Sequence, residues 1–93
     1  MIAGFADAET KKVWRGTRSA KLPGPIQGTA RRKLRMIDAA VRLDTLRLPP
    51  GNRLEKLGGR RAGQHSIRIN HQWRICFRWA NGNAHDVTIV DYH

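Results

Sequence analysis

The chain has 93 residues, of which 18 are Lys or Arg and seven are Asp or Glu, for a formal net charge of +11 with the four His counted neutral. That length admits one small domain spanning residues 1–93. The charge excludes an acidic disordered tail, and equally a small neutral enzyme with nothing anionic to hold.

Hydrophobic residues make up 40% of the chain, enough for one two-layer core, so high charge does not mean disorder here. A lone cysteine, Cys76, cannot staple the fold, which suits a reducing compartment. No apolar run approaches the roughly 18 residues that span a bilayer. Met1–Thr10 lacks the basic-then-apolar order of a signal peptide. The expectation is a cytoplasmic protein with an anionic partner and no membrane. Thirteen of the basic residues are Arg, the side chain suited to bidentate phosphate contacts. Nucleic acid is therefore favoured over charge kept only for solubility.

In chain order, Ile2–Phe5 reads as a short first strand. Asp7 caps a short helix over Ala8–Arg15, anchored by Val13 and Trp14. Gly16–Gly28 reads as a loop, because Gly16, Pro23, Gly24, Pro25 and Gly28 interrupt it. It is basic, with Arg18 and Lys21, and suited to ordering by a partner. A second helix follows, capped by Thr29. Ala30, Leu34, Ile37 and Val41 recur at helical spacing on its apolar face. Its other face carries Arg31, Arg32, Lys33, Arg35 and Arg42, with Asp38 spaced to pair with Arg35 or Arg42. Such a face is as often merely solvated as it is a docking surface. Pro49, Pro50 and Gly51 stop any helix before them.

From Asn52 the period changes to that of strands. Leu54 and Leu57 are isolated apolar anchors. In His65–Asn70, Ile67 and Ile69 alternate with polar residues. In Trp73–Trp79, Trp73, Ile75, Phe77 and Trp79 alternate with Arg74, Cys76 and Arg78. Asn81-Gly82 supplies a tight hairpin turn. Val87–Tyr92 closes a three-stranded antiparallel meander. The fold expected is α+β, with two N-terminal helices packed on one face of a small antiparallel sheet, in the order β-α-α-β-β-β.

With the aromatic stripe under the helices, Arg74 and Arg78 project together on the open face, with Arg68 beside them. Arg53–Arg78 holds seven basic residues, including Lys56, Arg60 and Arg61, and one acid, Glu55. That clustering describes a phosphate-binding surface. The sequence closes on Val90-Asp91-Tyr92-His93. An unperturbed His titrates near 6.5, so His93 can exchange a proton at neutral pH, although an end residue is more often simply exposed. His65 and His71 lack metal-ligand spacing and Cys76 has no cysteine partner, so no metal or cofactor is expected. Cys76 is placed near the sheet surface.

The runs Pro50-Gly51-Asn52-Arg53-Leu54-Glu55-Lys56-Leu57, Gly63-Gln64-His65-Ser66-Ile67-Arg68-Ile69-Asn70, Gln72-Trp73-Arg74-Ile75-Cys76-Phe77 and Ile89-Val90-Asp91-Tyr92-His93 resemble the HigB toxins. These belong to the RelE/ParE superfamily of type II toxin–antitoxin systems, and the GraT-like subgroup is the nearest in look. The resemblance covers essentially the whole chain. It implies a RelE/ParE-like fold and a metal-independent, ribosome-dependent endoribonuclease that cuts mRNA in the ribosomal A site. It also implies neutralisation by a helix-turn-helix, HigA-like antitoxin, with operator DNA bound only through that antitoxin.

By position, Asp91, Tyr92 and His93 match the family's C-terminal catalytic tripeptide, and Arg74 its Trp-Arg-Ile arginine. The chain departs from the pattern in two places. Glu55 stands where some HigB toxins have a catalytic His, and Gly58 falls on a family Lys. The roles that follow give proton transfer to His93, tuned or shared by Asp91 and Glu55. Arg74 and Arg68 hold the phosphate, and Tyr92 stacks on or orients the nucleotide. Arg78, Arg53, Lys56, Arg60, Arg61, Arg31, Arg32 and Arg35 serve RNA and ribosome docking. The alternatives are a gyrase-poisoning toxin of the ParE branch and a non-catalytic RNA- or ribosome-binding protein.

Overall fold

A computed structural model describes residues 1–92. Among these, two helices, α1 (Ala8–Trp14) and α2 (Gly24–Ala39), pack on a sheet of four strands, β1 (Glu55–Lys56), β2 (Gln64–Arg68), β3 (Trp73–Ala80) and β4 (Asn83–Asp91). The strands lie in the order β1-β2-β3-β4, and every neighbouring pair is antiparallel. The α+β arrangement of two helices on one sheet face is as expected.

The core forms where apolar spacing meets apolar alternation. Ile67, Ile75 and Ile89 lie side by side across β2, β3 and β4. Together with Phe77 and Val87 they pack against Val13 of α1 and Ala30, Leu34 and Ile37 of α2. A bulge lets β4 contribute twice. Its register shifts opposite Phe77, and Asp86 takes a left-handed conformation with φ of 51°. The extra residue turns both Ala84 and Val87 into the core, although they are three positions apart. At the hairpin, Asn81 and Gly82 both adopt positive φ, which matches the right-handed twist of the strands they join.

Asp7 caps α1, its Oδ2 accepting from the Thr10 backbone N–H at 3.0 Å. The chain departs from the sequence reading elsewhere. Ile2–Phe5 is not a continuous strand. It makes two isolated parallel bridges to β4, Ile2 to Ala84 and Phe5 to Val87, because β4 bends at Asp86 between them.

The second helix begins at Gly24, not after Thr29. Proline in a first helical turn loses no bond, since that N–H has no acceptor there, so Pro25 starts the helix instead of breaking it. The remainder of the early loop is held from inside. Ser19 is buried and donates to Glu9 Oε1 at 2.7 Å, and the Gln27 side-chain amide accepts from the Ser19 N–H at 3.0 Å. The Ser19 bond and then Lys12 hold the Glu9 carboxyl below its ordinary range.

Asp38 does not pair with Arg35 or Arg42. It accepts the Ile2 backbone N–H at 2.8 Å and so ties the N-terminal segment to α2. Val41 is exposed because the helix ends at Ala39, and Ala40 takes the buried place instead. A fourth strand, Glu55–Lys56, extends the expected three-stranded meander. Cys76 is fully buried, not near the surface.

Candidate active site

The site assembles on the sheet face opposite the helices. Arg68 of β2, Arg74 of β3 and Val90 of β4 are cross-strand partners in one row, and Ser66, Cys76 and Thr88 form the next. Alternation along β3 therefore delivers Arg74 and Cys76 to this side while Ile75 and Phe77 enter the core.

Arg74 is not on an open face. It is 8% exposed and held at several points. Its Nε donates to Ser66 Oγ at 2.8 Å, and its Nη2 to the Arg53 carbonyl at 2.6 Å. Nη1 stands 3.6 Å from Glu55 Oε1, and the guanidinium carbon lies 5.5 Å from the centroid of the Tyr92 ring. Arg53 presents its carbonyl because it adopts a left-handed turn, φ 45° and ψ 57°, just after the 3₁₀ turn Pro50–Asn52. The short strand β1 then places Glu55 opposite Ser66.

The C-terminal residues enter by register. Asp91 pairs with Trp73, and its Oδ2 accepts from Gln72 Nε2 at 3.2 Å. The Tyr92 N–H donates to the Gln72 carbonyl at 2.7 Å. Alternation beyond Val90 puts Tyr92 on the Arg74 side and Asp91 on the other. His93 lies outside the described residues.

The structure thus brings together Arg74, Arg68, Arg53, Glu55 and Tyr92. Arg78 is exposed and paired with Asp86 at 3.4 Å. Lys56 and Arg60 are exposed, whereas Arg61 is half-buried and donates to Gln64 Oε1 at 3.2 Å. Arg31, Arg32 and Arg35 belong to α2 on the other side of the sheet. Arg32 and Arg35 reach solvent, while Arg31 is half-buried with Nε 3.3 Å from the Trp14 carbonyl. The cationic set is therefore distributed over two sides of the molecule.

Two buried residues of this region escaped the sequence reading. Ser66 and Lys33 do not stand among the candidate site residues of the sequence, yet both are buried and bonded. Ser66 was detectable as the small residue that cross-strand alternation places beside Arg74. Lys33 gave no such signal.

A family model for the RelE-like toxin of the type II toxin–antitoxin system HigB matches residues 3–93. The chain belongs to the HigB family. Toxin HigB-1 of Vibrio cholerae serotype O1 is 43% identical to this HigB-family chain, over all of it and 98% of the relative. Endoribonuclease HigB of Proteus vulgaris is 29% identical over the full length of both. In fold, the chain resembles one in the YoeB-YefM complex from Staphylococcus aureus, with a TM-score of 0.62 at 16% identity, covering 100% of this chain and 98% of that one. As a member of a type II toxin–antitoxin family, this HigB chain has an antitoxin for a partner. No helix among its described residues is long and apolar enough to cross a membrane.

Proposed function

We propose that this HigB-family toxin is an endoribonuclease that cuts mRNA on the ribosome, in the A site, without a metal ion. The single observation that carries the reading is the Arg74 guanidinium, fixed by Ser66 and the Arg53 carbonyl beside Tyr92 and Arg68. The endoribonuclease named in Proteus vulgaris supports the activity. Nothing in the comparisons favours the gyrase-poisoning alternative.

RNA supplies its own nucleophile. The 2′-oxygen attacks the adjacent phosphorus and the bond to the 5′-oxygen breaks, leaving a cyclic phosphate and a 5′-hydroxyl. The step needs a base for the 2′-OH, positive charge against the developing dianion and an acid for the 5′-oxygen. Arg74 and Arg68 supply the charge. His93 carries proton transfer, shared by Glu55, whose carboxylate already faces Arg74, and tuned by Asp91. Tyr92 stacks on the nucleotide. A site with so few groups orients free RNA poorly, so the ribosome supplies the positioning. Arg78, Lys56, Arg60, Arg61, Arg53, Arg31, Arg32 and Arg35 serve docking, spread widely enough to touch ribosomal RNA on more than one side. The antitoxin is a helix-turn-helix, HigA-like protein through which operator DNA is bound.

The experiment is induction in cells with primer extension on a translated mRNA, repeated on purified ribosomes in magnesium buffer with toxin that has been stripped with EDTA and desalted. Wild type should produce discrete cuts in both. Tyr92→Ala and His93→Gln should each lower cutting by about 10²-fold or more with folding intact. Full toxicity in either variant overturns the residue assignment. Equal cutting of free and ribosome-bound RNA overturns ribosome dependence, and loss of activity in the stripped toxin that only an added transition metal restores overturns metal independence.

A further inference from the structure

Lys33 is a lysine of the cationic helix α2 that is largely shielded from water. It is 9% exposed. Its Nζ donates to Asn52 Oδ1 at 2.9 Å and to the Arg68 carbonyl at 2.6 Å. Burial, and then the charges of Arg32, Arg68 and Arg74, push its amine below the ordinary lysine value. Among the described residues no carboxylate pairs with it. Keeping an ammonium in such a place costs free energy that an apolar residue of similar volume avoids.

The two acceptors explain what the amine holds. Asn52 is fully buried, and its Nδ2 donates to the carbonyls of Leu46 and Leu48 at 3.2 and 3.3 Å, which gathers the segment before β1. The next residue is Arg53, whose left-handed turn aims its carbonyl at Arg74 Nη2, 2.6 Å away. The second acceptor belongs to Arg68, the cross-strand partner of Arg74. One amine therefore anchors both backbone segments that flank Arg74, one at the guanidinium and one along the neighbouring strand.

We propose that Lys33 is a positioning residue for Arg74, acting from the helical side of the sheet through Asn52–Arg53 and the Arg68 carbonyl. Its catalytic consequence rests on the ribonuclease reading above. Its structural consequence does not. Arg68 alone would leave the guanidinium free to swing on the Ser66 bond. With Lys33 in place, Ser66, Arg53 and the strand pairing fix the guanidinium plane before any RNA arrives, and misplacement of such a group costs rate more than affinity.

The test uses Lys33→Met, which removes the amine and keeps the stem, and Lys33→Gln, which keeps a shorter neutral donor, should the methionine variant fail to fold. Three quantities are read: thermal unfolding, the NMR signal and solvent exchange of the Arg74 Nε–H, and kcat and KM for cutting ribosome-bound mRNA. The expected result is a folded variant whose Arg74 Nε–H exchanges faster. Its kcat falls about ten- to a hundredfold while KM changes little. Made in an Arg74→Lys background, Lys33→Met should lower kcat no further, because the group it positions is gone. An unchanged Arg74 Nε–H signal overturns the proposal, as does the same fall in kcat in both backgrounds. Failure of wild type to cut mRNA would count against the ribonuclease reading alone, since the exchange measurement decides the positioning without it.

Discussion

The two faces of the sheet follow the same alternation and end in different physical states. On one, Ile67, Ile75, Phe77 and Ile89 are buried against helices because nothing about them prefers water. On the other, Ser66, Arg74 and Cys76 are buried as well, although one of them is polar and one is charged. The second face is tolerable only because its polar atoms are bonded. Among the described residues no buried side-chain nitrogen or oxygen lacks a partner. Alternation assigns a side chain to a side. Whether that side is wet is decided by what gathers around it, here the Arg53 carbonyl, Glu55 and Tyr92 about Arg74.

Substitutions on the two faces should break in different ways. Ile75→Ala empties a fully buried core site and should cost about 2–5 kcal/mol in urea denaturation, with any loss of toxicity following the loss of fold. Arg74→Ala should cost less stability, about 1–3 kcal/mol, by stripping partners from Ser66 and the Arg53 carbonyl. Its cleavage rate should nevertheless fall about 10²–10³-fold in a ribosome assay. Arg74→Lys should be intermediate, because an ammonium does not reproduce the planar fork. A rate loss no greater than that of Ile75→Ala at matched folded fraction would erase the distinction between the faces.

Cys76 sharpens the point about burial. Burial pushes its thiol above the ordinary 9.0, more than Arg61 and Arg74 lower it. Iodoacetamide should therefore label Cys76 only after denaturation, and rapid labelling of the native protein would show that the arginine face is open after all.

On the helical side of β2, between Lys56 and Phe77, His65 sits half-buried with its ring 6.2 Å from that of Phe77. Desolvation and then Lys56 depress its pKa below 6.5. The unfolded chain then binds a proton that the folded chain resists, so stability falls as pH drops through about 6.5 and levels off below the depressed folded value. His65→Phe should flatten that slope in denaturation curves taken between pH 7.5 and 5. The smallest effect is expected at the β4 bulge. Asp86→Gly relieves a left-handed non-glycine residue but removes the exposed pair with Arg78. Thermal unfolding should show a change within about 1 kcal/mol in either direction, since these terms oppose.

The helices, the meander and its hairpin were legible because each is a local pattern: helical spacing from Ala30 to Ile37, alternation from Trp73 to Trp79, and Asn81-Gly82 between strands. The cationic excess was legible from composition, and the nearness of Tyr92 and Glu55 to Arg74 from the residues that resemble the HigB family. Burial of Arg74, Lys33 and Cys76 was not. Each looks solvated or surface-bound in sequence, and each is covered by residues remote in the chain. The start of α2 was also missed, since proline reads as a breaker unless its place in the first turn is known. So the sequence alone determined the body of the two helices, the three-stranded meander and the side of the sheet on which its alternating residues lie. Only the tertiary structure decided which charges are sheltered from water. That depends on long-range hydrogen bonds from Arg74 to Arg53 and from Lys33 to Asn52 and Arg68, which no local pattern encodes.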